Sequence, residues 1–207
     1  MTTAEPVVRV IDDDEAVRIS IKDLLDSVGM RSELYESGRD FLAAQSPDSP
    51  PGCLILDVRL PGTSGLEFQQ ELASTKVDIP IVFITGHGDI PMSVQAMKAG
   101  AVDFLPKPFR DQELLDAINK AVERDRTHRA RQTHLHEFQK RFDELTPRER
   151  DVMLLVIQGL LNKQIASELG ASETTVKIHR AQVMRKMQAD SLPDLVRMAE
   201  RLALPAK

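Results

Sequence analysis

The stretch CLILDVRLPGTSGLE, residues 53–67, decides the fold. Cys53 to Leu56 is a short, uninterrupted apolar run, which reads as a strand buried on both faces. Asp57 closes that strand, and a short connection leads to a helix over Gly65 to Ser74. The same strand–helix unit recurs on both sides. Upstream, Val7 to Ile11 is a strand and Glu15 to Val28 a helix, with Val17, Ile21, Leu24, Leu25 and Val28 at helical spacing and Gly29 as its stop. Arg31 to Tyr35 and Ser37 to Gln45 follow as strand and serine-capped helix. Downstream come a strand over Ile79 to Thr85, a helix over Pro91 to Ala99 and a strand over Val102 to Leu105. A final helix starts near Asp111. Five such repeats with short connections predict an α/β domain, a five-stranded parallel sheet covered by helices on both faces. In such sheets the chemistry gathers at the carboxyl ends of the strands.

Composition narrows the classes. Hydrophobic residues make up 42% and charged residues 29% of the 207, the range of an ordinary globular protein. The longest apolar run, near Val152 to Ile157, is far short of the roughly 18 residues of a membrane span, so no membrane is expected. Glu5 and Pro6 break any signal-peptide pattern. A single cysteine, Cys53, excludes an intrachain disulfide framework and fits a reducing cytoplasm; it reads as a small buried hydrophobe. Charge is divided unevenly. Residues 1–120 carry 20 Asp/Glu against 11 Lys/Arg, whereas residues 145–207 carry 10 Lys/Arg against 7 Asp/Glu. An acidic front and a mildly basic back imply two different tasks.

The second half is helical. From Asp111 to Leu145 there is neither Gly nor Pro, and an apolar stripe of Leu114, Leu115, Ile118 and Val122 thins to Leu135, Phe138 and Phe142. Either the fifth helix runs on as a long helical linker, or it stops near Arg124 before a flexible segment. His128, His134 and His136 lie here, but residues at i and i+2 do not share a helix face, which argues against a metal site. Thr146-Pro147, with Glu149 in the capping-box position, opens a helix that Gly159 stops. Asn162 caps a short helix to Leu169, Gly170 closes it, Ser172 caps a third helix to Met187, and Ser191 caps a fourth to about Leu202. Two short helices about one tight turn predict a helix-turn-helix inside an all-α four-helix domain.

Two sites follow from this layout. Asp12, Asp13 and Asp57 end the first and third strands, so three carboxylates converge and require a cation. Mg²⁺ (or Mn²⁺) suits an oxygen site completed by phosphate. Thr85 and Lys107, at the ends of the fourth and fifth strands, add a hydroxyl and an ammonium. Together these are the parts that acyl-phosphate formation needs, with Asp57 as nucleophile and Thr85 and Lys107 stabilising the phosphoryl oxygens. On the third C-terminal helix, Val176, Val183, Met184 and Met187 share one side. Thr174, Ile178, Ala181, Gln182 and Arg185 share the other, with Thr175, Lys177 and Lys186 toward its margins. Apolar groups among polar and cationic ones suit the major groove of double-stranded DNA.

VVRVIDDDEAVR, CLILDVRLPGTSGLE, IPIVFITGHGD and AGAVDFLPKPF resemble the receiver domain of bacterial response regulators over roughly residues 5–124. LTPRERDVMLLVIQGLLNKQIASELGASETTVKIHRAQVMRKM resembles the LuxR-type helix-turn-helix over roughly 143–204, and the pair together resembles the NarL/FixJ class. The resemblance implies a flavodoxin-like receiver at 1–124, a helical linker at 125–142 and a DNA-binding domain at 143–207. It implies phosphorylation of Asp57 by a sensor histidine kinase, and a metal pocket of Asp12, Asp13, Asp57 and the Arg59 backbone carbonyl. Lys107 would precede Pro108 in a cis bond, and Thr85 and Phe104 would act as the switch pair. It further implies base contacts from Lys177, Ile178 and Ala181, and phosphate contacts from Lys163, Thr175, His179 and Arg180; His179 and Arg180 fall near the core side of the helix. A homodimer of the phosphorylated form, paired DNA half-sites and RNA polymerase as a partner complete the expectation. The chain is then no enzyme with a substrate of its own, in contrast to an aspartyl-phosphate hydrolase. Two further rivals are a phosphorylation-independent DNA-binding scaffold and a sigma-factor-like promoter reader.

Overall fold

The computed structural model describes residues 5–46, 49–75, 77–86 and 90–204. The expected segments at His87 to Asp89 and at the two chain ends lie outside them. The chain divides into two compact units, 1–129 and 130–207.

In the first unit, five strands alternate with helices: β1 (Val7–Ile11), α1 (Glu15–Ser27), β2 (Arg31–Tyr35), α2 (Gly38–Ala44), β3 (Gly52–Asp57), α3 (Gly65–Ser74), β4 (Ile81–Thr85), α4 (Ile90–Lys98), β5 (Asp103–Pro106) and the first part of α5 (Asp111–Asp143). The strands pair in parallel in the order β2-β1-β3-β4-β5, the flavodoxin-like order. Period-2 alternation builds two cores from the same strands. Val8, Val10, Cys53, Ile55, Val82 and Ile84 meet Ile21 and Leu25 of α1 and Leu114, Ile118 and Val122 of α5. Ile11, Leu54, Leu56, Ile81 and Phe83 meet Phe41, Phe68 and Leu72 of α2 and α3, and Ala96 of α4. The inner strands β1, β3 and β4 are buried on both faces and need no polar alternation, so they read as nearly plain apolar runs, whereas the edge strands β2 and β5 do not. Cys53 is fully buried and its thiol is pushed up to about 12, chiefly by that burial.

Several element boundaries differ by one or two residues from the sequence expectation. β4 begins at Ile81, not Ile79, because Pro80 has no N–H to give the ladder and takes part only through its carbonyl, which accepts from the Leu54 N–H at 2.9 Å. β5 and α4 shift by about one residue. Between Asp111 and Asp143 the helix is continuous in secondary structure, with no break at Arg124.

The second unit contains α6 (Pro147–Ile157), α7 (Asn162–Leu169), α8 (Glu173–Met187) and α9 (Leu192–Arg201). Val152, Met153 and Val156 of α6, Ile165 of α7, Val176, Val183 and Met187 of α8, and Leu195 and Met198 of α9 form its core, with Phe138 and Phe142 of α5 packed against it. Thr146 and Glu149 form the expected reciprocal cap. The expected cap at Asn162 is corrected: Leu161 holds the N-cap position and Asn162 is the first helical residue. Leucine has no side-chain cap acceptor; only the returning half of a capping box is present, with the Gln164 side-chain oxygen accepting the Leu161 N–H at 2.8 Å. That frees Asn162, whose Oδ1 accepts from Arg180 Nη1 at 3.1 Å and so ties α7 to α8. Gly170, at φ 59°, ends α7 in the left-handed conformation that L residues with a Cβ rarely adopt.

Candidate functional site: a carboxylate pocket and a solvent-facing recognition helix

The strand order reverses direction between β1 and β3, so a crevice opens at their carboxyl ends. Asp12 follows β1 and Asp57 ends β3. One side-chain oxygen from each of Asp12, Asp13 and Asp57 lies within 4.8 Å of the others. Asp12 is fully buried, Asp57 is nearly so, and Asp13 faces solvent. Lys107, just after β5, reaches across the sheet. Its Nζ lies 2.6 Å from Asp12 Oδ2 and 2.7 Å from Asp57 Oδ2. Thr85, buried at the end of β4, accepts the Lys107 N–H on its carbonyl at 2.6 Å, which fixes where the lysine starts.

Charge in this pocket is out of balance: three carboxylates converge, and one ammonium bridges two of them. Burial raises the Asp12 carboxyl above its ordinary value, and the hydrogen bonds from Lys107 and the Asp14 N–H only partly offset it. For Lys107 burial pulls the other way, but the bonds to Asp12 and Asp57 outweigh it and hold the group as an ammonium. A hard divalent cation fits this donor set: oxygen ligands alone, one of them open to water, and negative charge in excess.

The backbone holds Asp57 in place. Its Oδ1 accepts the Arg59 N–H at 2.9 Å, and the start of α3 is drawn against the same strand, with the Gly65 N–H on the Val58 carbonyl at 2.8 Å. A Cβ at Gly65 would stand 2.3 Å from the Asp57 carbonyl oxygen, so only glycine permits this approach. Phe104 on β5 is half-buried, with its ring 6.2 Å from that of Phe83. The Lys107–Pro108 peptide bond is cis. One partner has no signal in the sequence: Arg18 of α1 donates to the Asp12 carbonyl at 2.6 Å, bracing the strand end from the helix side.

On α8 the buried residues are Val176, Val183 and Met187, with Met184 half-buried. Thr174, Thr175, Lys177, Ile178, Ala181 and Arg185 are exposed and Gln182 is half-exposed, as the helical wheel predicts. Ile178 is 57% exposed. Lys163 lies exposed near the start of α7, while His179 and Arg180 are half-buried. Lys186 departs from the wheel. Its Nζ turns inward to Glu149 Oε2 at 2.6 Å and the Glu144 carbonyl at 3.2 Å, so it ties α8 to the α6 cap.

An α/β unit with this pocket and a helical unit with this exposed helix define a receiver joined to a DNA-binding domain. The family models agree: residues 8–119 match the response regulator receiver domain and residues 143–199 the bacterial regulatory proteins of the luxR family. The chain belongs to the two-component response regulators, in the NarL/FixJ class of transcription regulators. It is 54% identical over 204 residues to nodulation protein W of Bradyrhizobium diazoefficiens, covering 99% of this chain and 89% of that one. It is 45% identical over 192 residues to the transcriptional regulatory protein FixJ of Rhizobium meliloti, covering 93% and 94%. Among solved structures, response regulator StyR is similar at a TM-score of 0.85 and 47% identity, over 96% of this chain and all of that one.

Proposed function

We propose that this regulator is switched by phosphorylation of Asp57. A sensor histidine kinase presents a phosphohistidine. An Asp57 carboxylate oxygen attacks phosphorus, the P–N bond breaks, and the imidazole nitrogen leaves with the electron pair. Asp12, Asp13, Asp57 and the Arg59 backbone carbonyl would hold Mg²⁺ (or Mn²⁺), which supplies neutralisation of phosphoryl oxygen charge. Lys107 moves from its two carboxylates toward the new phosphoryl oxygens, and the Thr85 hydroxyl donates to one of them. The carrying observation is the convergence of Asp12, Asp13, Asp57 and Lys107 from three strand ends on one crevice.

Phosphorylation adds about −1.5 to −2 charges here. Drawing Thr85 inward vacates space that Phe104 fills, which changes the surface of α4 and β5. That surface is the proposed homodimer contact. Ile90, Val94 and Met97, at i, i+4 and i+7 on α4, form an exposed apolar stripe that supports it. The residues 125–142 serve as the connecting segment between the domains 1–124 and 143–207. In the dimer two α8 helices enter adjacent major grooves of double-stranded DNA. Lys177, Ile178, Ala181, Thr174, Gln182 and Arg185 face the bases, and Lys163, Thr175, His179 and Arg180 face phosphates. Arg180 then exchanges or shares its Asn162 contact. RNA polymerase is the downstream partner, and the cytoplasm is the compartment.

The test is acetyl phosphate with Mg²⁺ on the full chain. The proposal expects a mass gain of one phosphoryl group and a shift toward dimer, both lost in Asp57→Ala. Equal labelling of Asp57→Ala would overturn the assignment.

A further inference from the structure

The exposed face of α8 carries a side-chain pair whose geometry specifies a base. Gln182 Oε1 accepts a hydrogen bond from Arg185 Nη2 at 2.6 Å. A guanidinium has donors only, so the amide atom facing it must be the carbonyl oxygen. The orientation of the Gln182 amide follows: one lone pair of its oxygen is engaged by Arg185, and its NH₂ group is not.

That constraint reverses the usual preference of glutamine. A free glutamine reads adenine with two bonds, accepting from N6 and donating to N7; here the oxygen keeps a second lone pair, but the Arg185 guanidinium sets N–H donors beside it, which the adenine N6 amino group, itself a donor, would meet. Held by Arg185, the pair offers N–H donors: the Gln182 amide hydrogens and the remaining guanidinium hydrogens. Guanine presents two acceptors in the major groove, N7 and O6, and adenine presents one acceptor beside a donor. On a helical wheel Arg185 falls about 20° from Ile178 and Gln182 about 40°, so both share the outward face. We infer that Gln182 and Arg185 act together as a guanine reader within the DNA half-site.

The inference rests on the proposed entry of α8 into the major groove and deepens it. Ile178, one turn before Gln182, and Ala181, one turn before Arg185, offer apolar surface alone and so suit a thymine methyl. One helical turn is about 5.4 Å along the axis, between one and two base-pair steps of about 3.4 Å. The half-site then carries a thymine preference and a guanine preference one or two positions apart.

Selection of the phosphorylated full chain on a duplex library randomised in its central segment tests this. Wild type enriches guanine at one half-site position, over adenine by about tenfold. Gln182→Ala flattens the preference at that position and leaves the others. Arg185→Ala releases the Gln182 oxygen and moves the same position from guanine toward adenine. Arg185→Lys keeps the charge, and with it the affinity for random DNA and its salt dependence, yet lowers the guanine preference. Adenine at that position in wild type overturns the inference. So does an unchanged motif in the variants with uniformly weaker binding and a shallower salt dependence, which marks a phosphate contact. If wild type enriches no motif at all, the reading of α8 as a DNA-contacting helix fails as well.

Discussion

Replacing Asp125 with alanine isolates one buried contact whose energy can be worked out. Asp125 sits on α5 where its apolar stripe ends, and its side chain is 1% exposed. Oδ2 accepts the Gly52 N–H at 2.8 Å, across 73 residues of sequence, and Arg129 Nε at 2.8 Å. Arg129 also donates to the Ser49 carbonyl at 2.9 Å. Asp125→Ala leaves the buried Gly52 N–H without its acceptor, at a cost of about 1–3 kcal/mol. Arg129 is 40% exposed, so water replaces its carboxylate and little is added. Two effects work in the opposite direction. Alanine favours the helix by about 0.5 kcal/mol over aspartate, and the buried Oδ1, which has no partner among the described residues, is removed. The net loss is about 1 kcal/mol from the first unit, or roughly fivefold faster exchange of its most protected amides. Native-state hydrogen exchange at Leu54 to Leu56 of β3 reads this without interference from the second unit. Asp125→Asn keeps an acceptor for Gly52 and loses less than half as much. Exchange within twofold of wild type in the alanine variant, or equal damage in both variants, would refute the reasoning. The proposed phosphorylation of Asp57 is expected to continue in both, because Gly52 opens β3 and Asp57 closes it.

Other outcomes follow from the same geometry. Mg²⁺ at ten times its Kd stabilises the first unit by about 1.4 kcal/mol; thermal melts should show this in wild type and lose it in Asp13→Asn. Burial raises the Glu149 carboxyl, but bonds from Lys186, the Thr146 N–H and the Thr146 hydroxyl outweigh it and hold the group below its ordinary 4.5. Its stabilisation of the second unit is therefore complete above that value and is lost as pH falls below it. The stability gap between wild type and Glu149→Gln should then narrow on acidification, and a gap constant down to acid unfolding would contradict this. Thr146→Ala removes the side-chain cap of α6, whose Oγ1 accepts the Glu149 N–H at 3.3 Å, and should cost about 1 kcal/mol in denaturant titrations.

Much of this molecule is legible in its sequence because the signals are local. Apolar runs mark the strands, and the register of a parallel sheet then brings Asp12, Asp57, Thr85 and Lys107 to one edge without further information. The outward face of α8 follows from helical spacing alone. What escaped the sequence depends on distant partners. Asp125 reads as one charge in a charged helix until Gly52 is placed beside it. Arg18 carries no mark of its bond to the Asp12 carbonyl. Lys186 sits at the wheel's margin, and only the position of Glu149 turns it inward. Asn162 has the residue type of a cap, yet the helix starts one residue earlier and its side chain turns to Arg180 instead.

The central claim is that a phosphoryl group on Asp57 controls DNA affinity. Fluorescence anisotropy on a selected duplex, with the full chain before and after acetyl phosphate, measures it directly. At least tenfold tighter binding after phosphorylation is expected in wild type, with no change in Asp57→Ala. Equal affinity of phosphorylated and unphosphorylated wild type would contradict it and favour a scaffold that binds DNA without the switch.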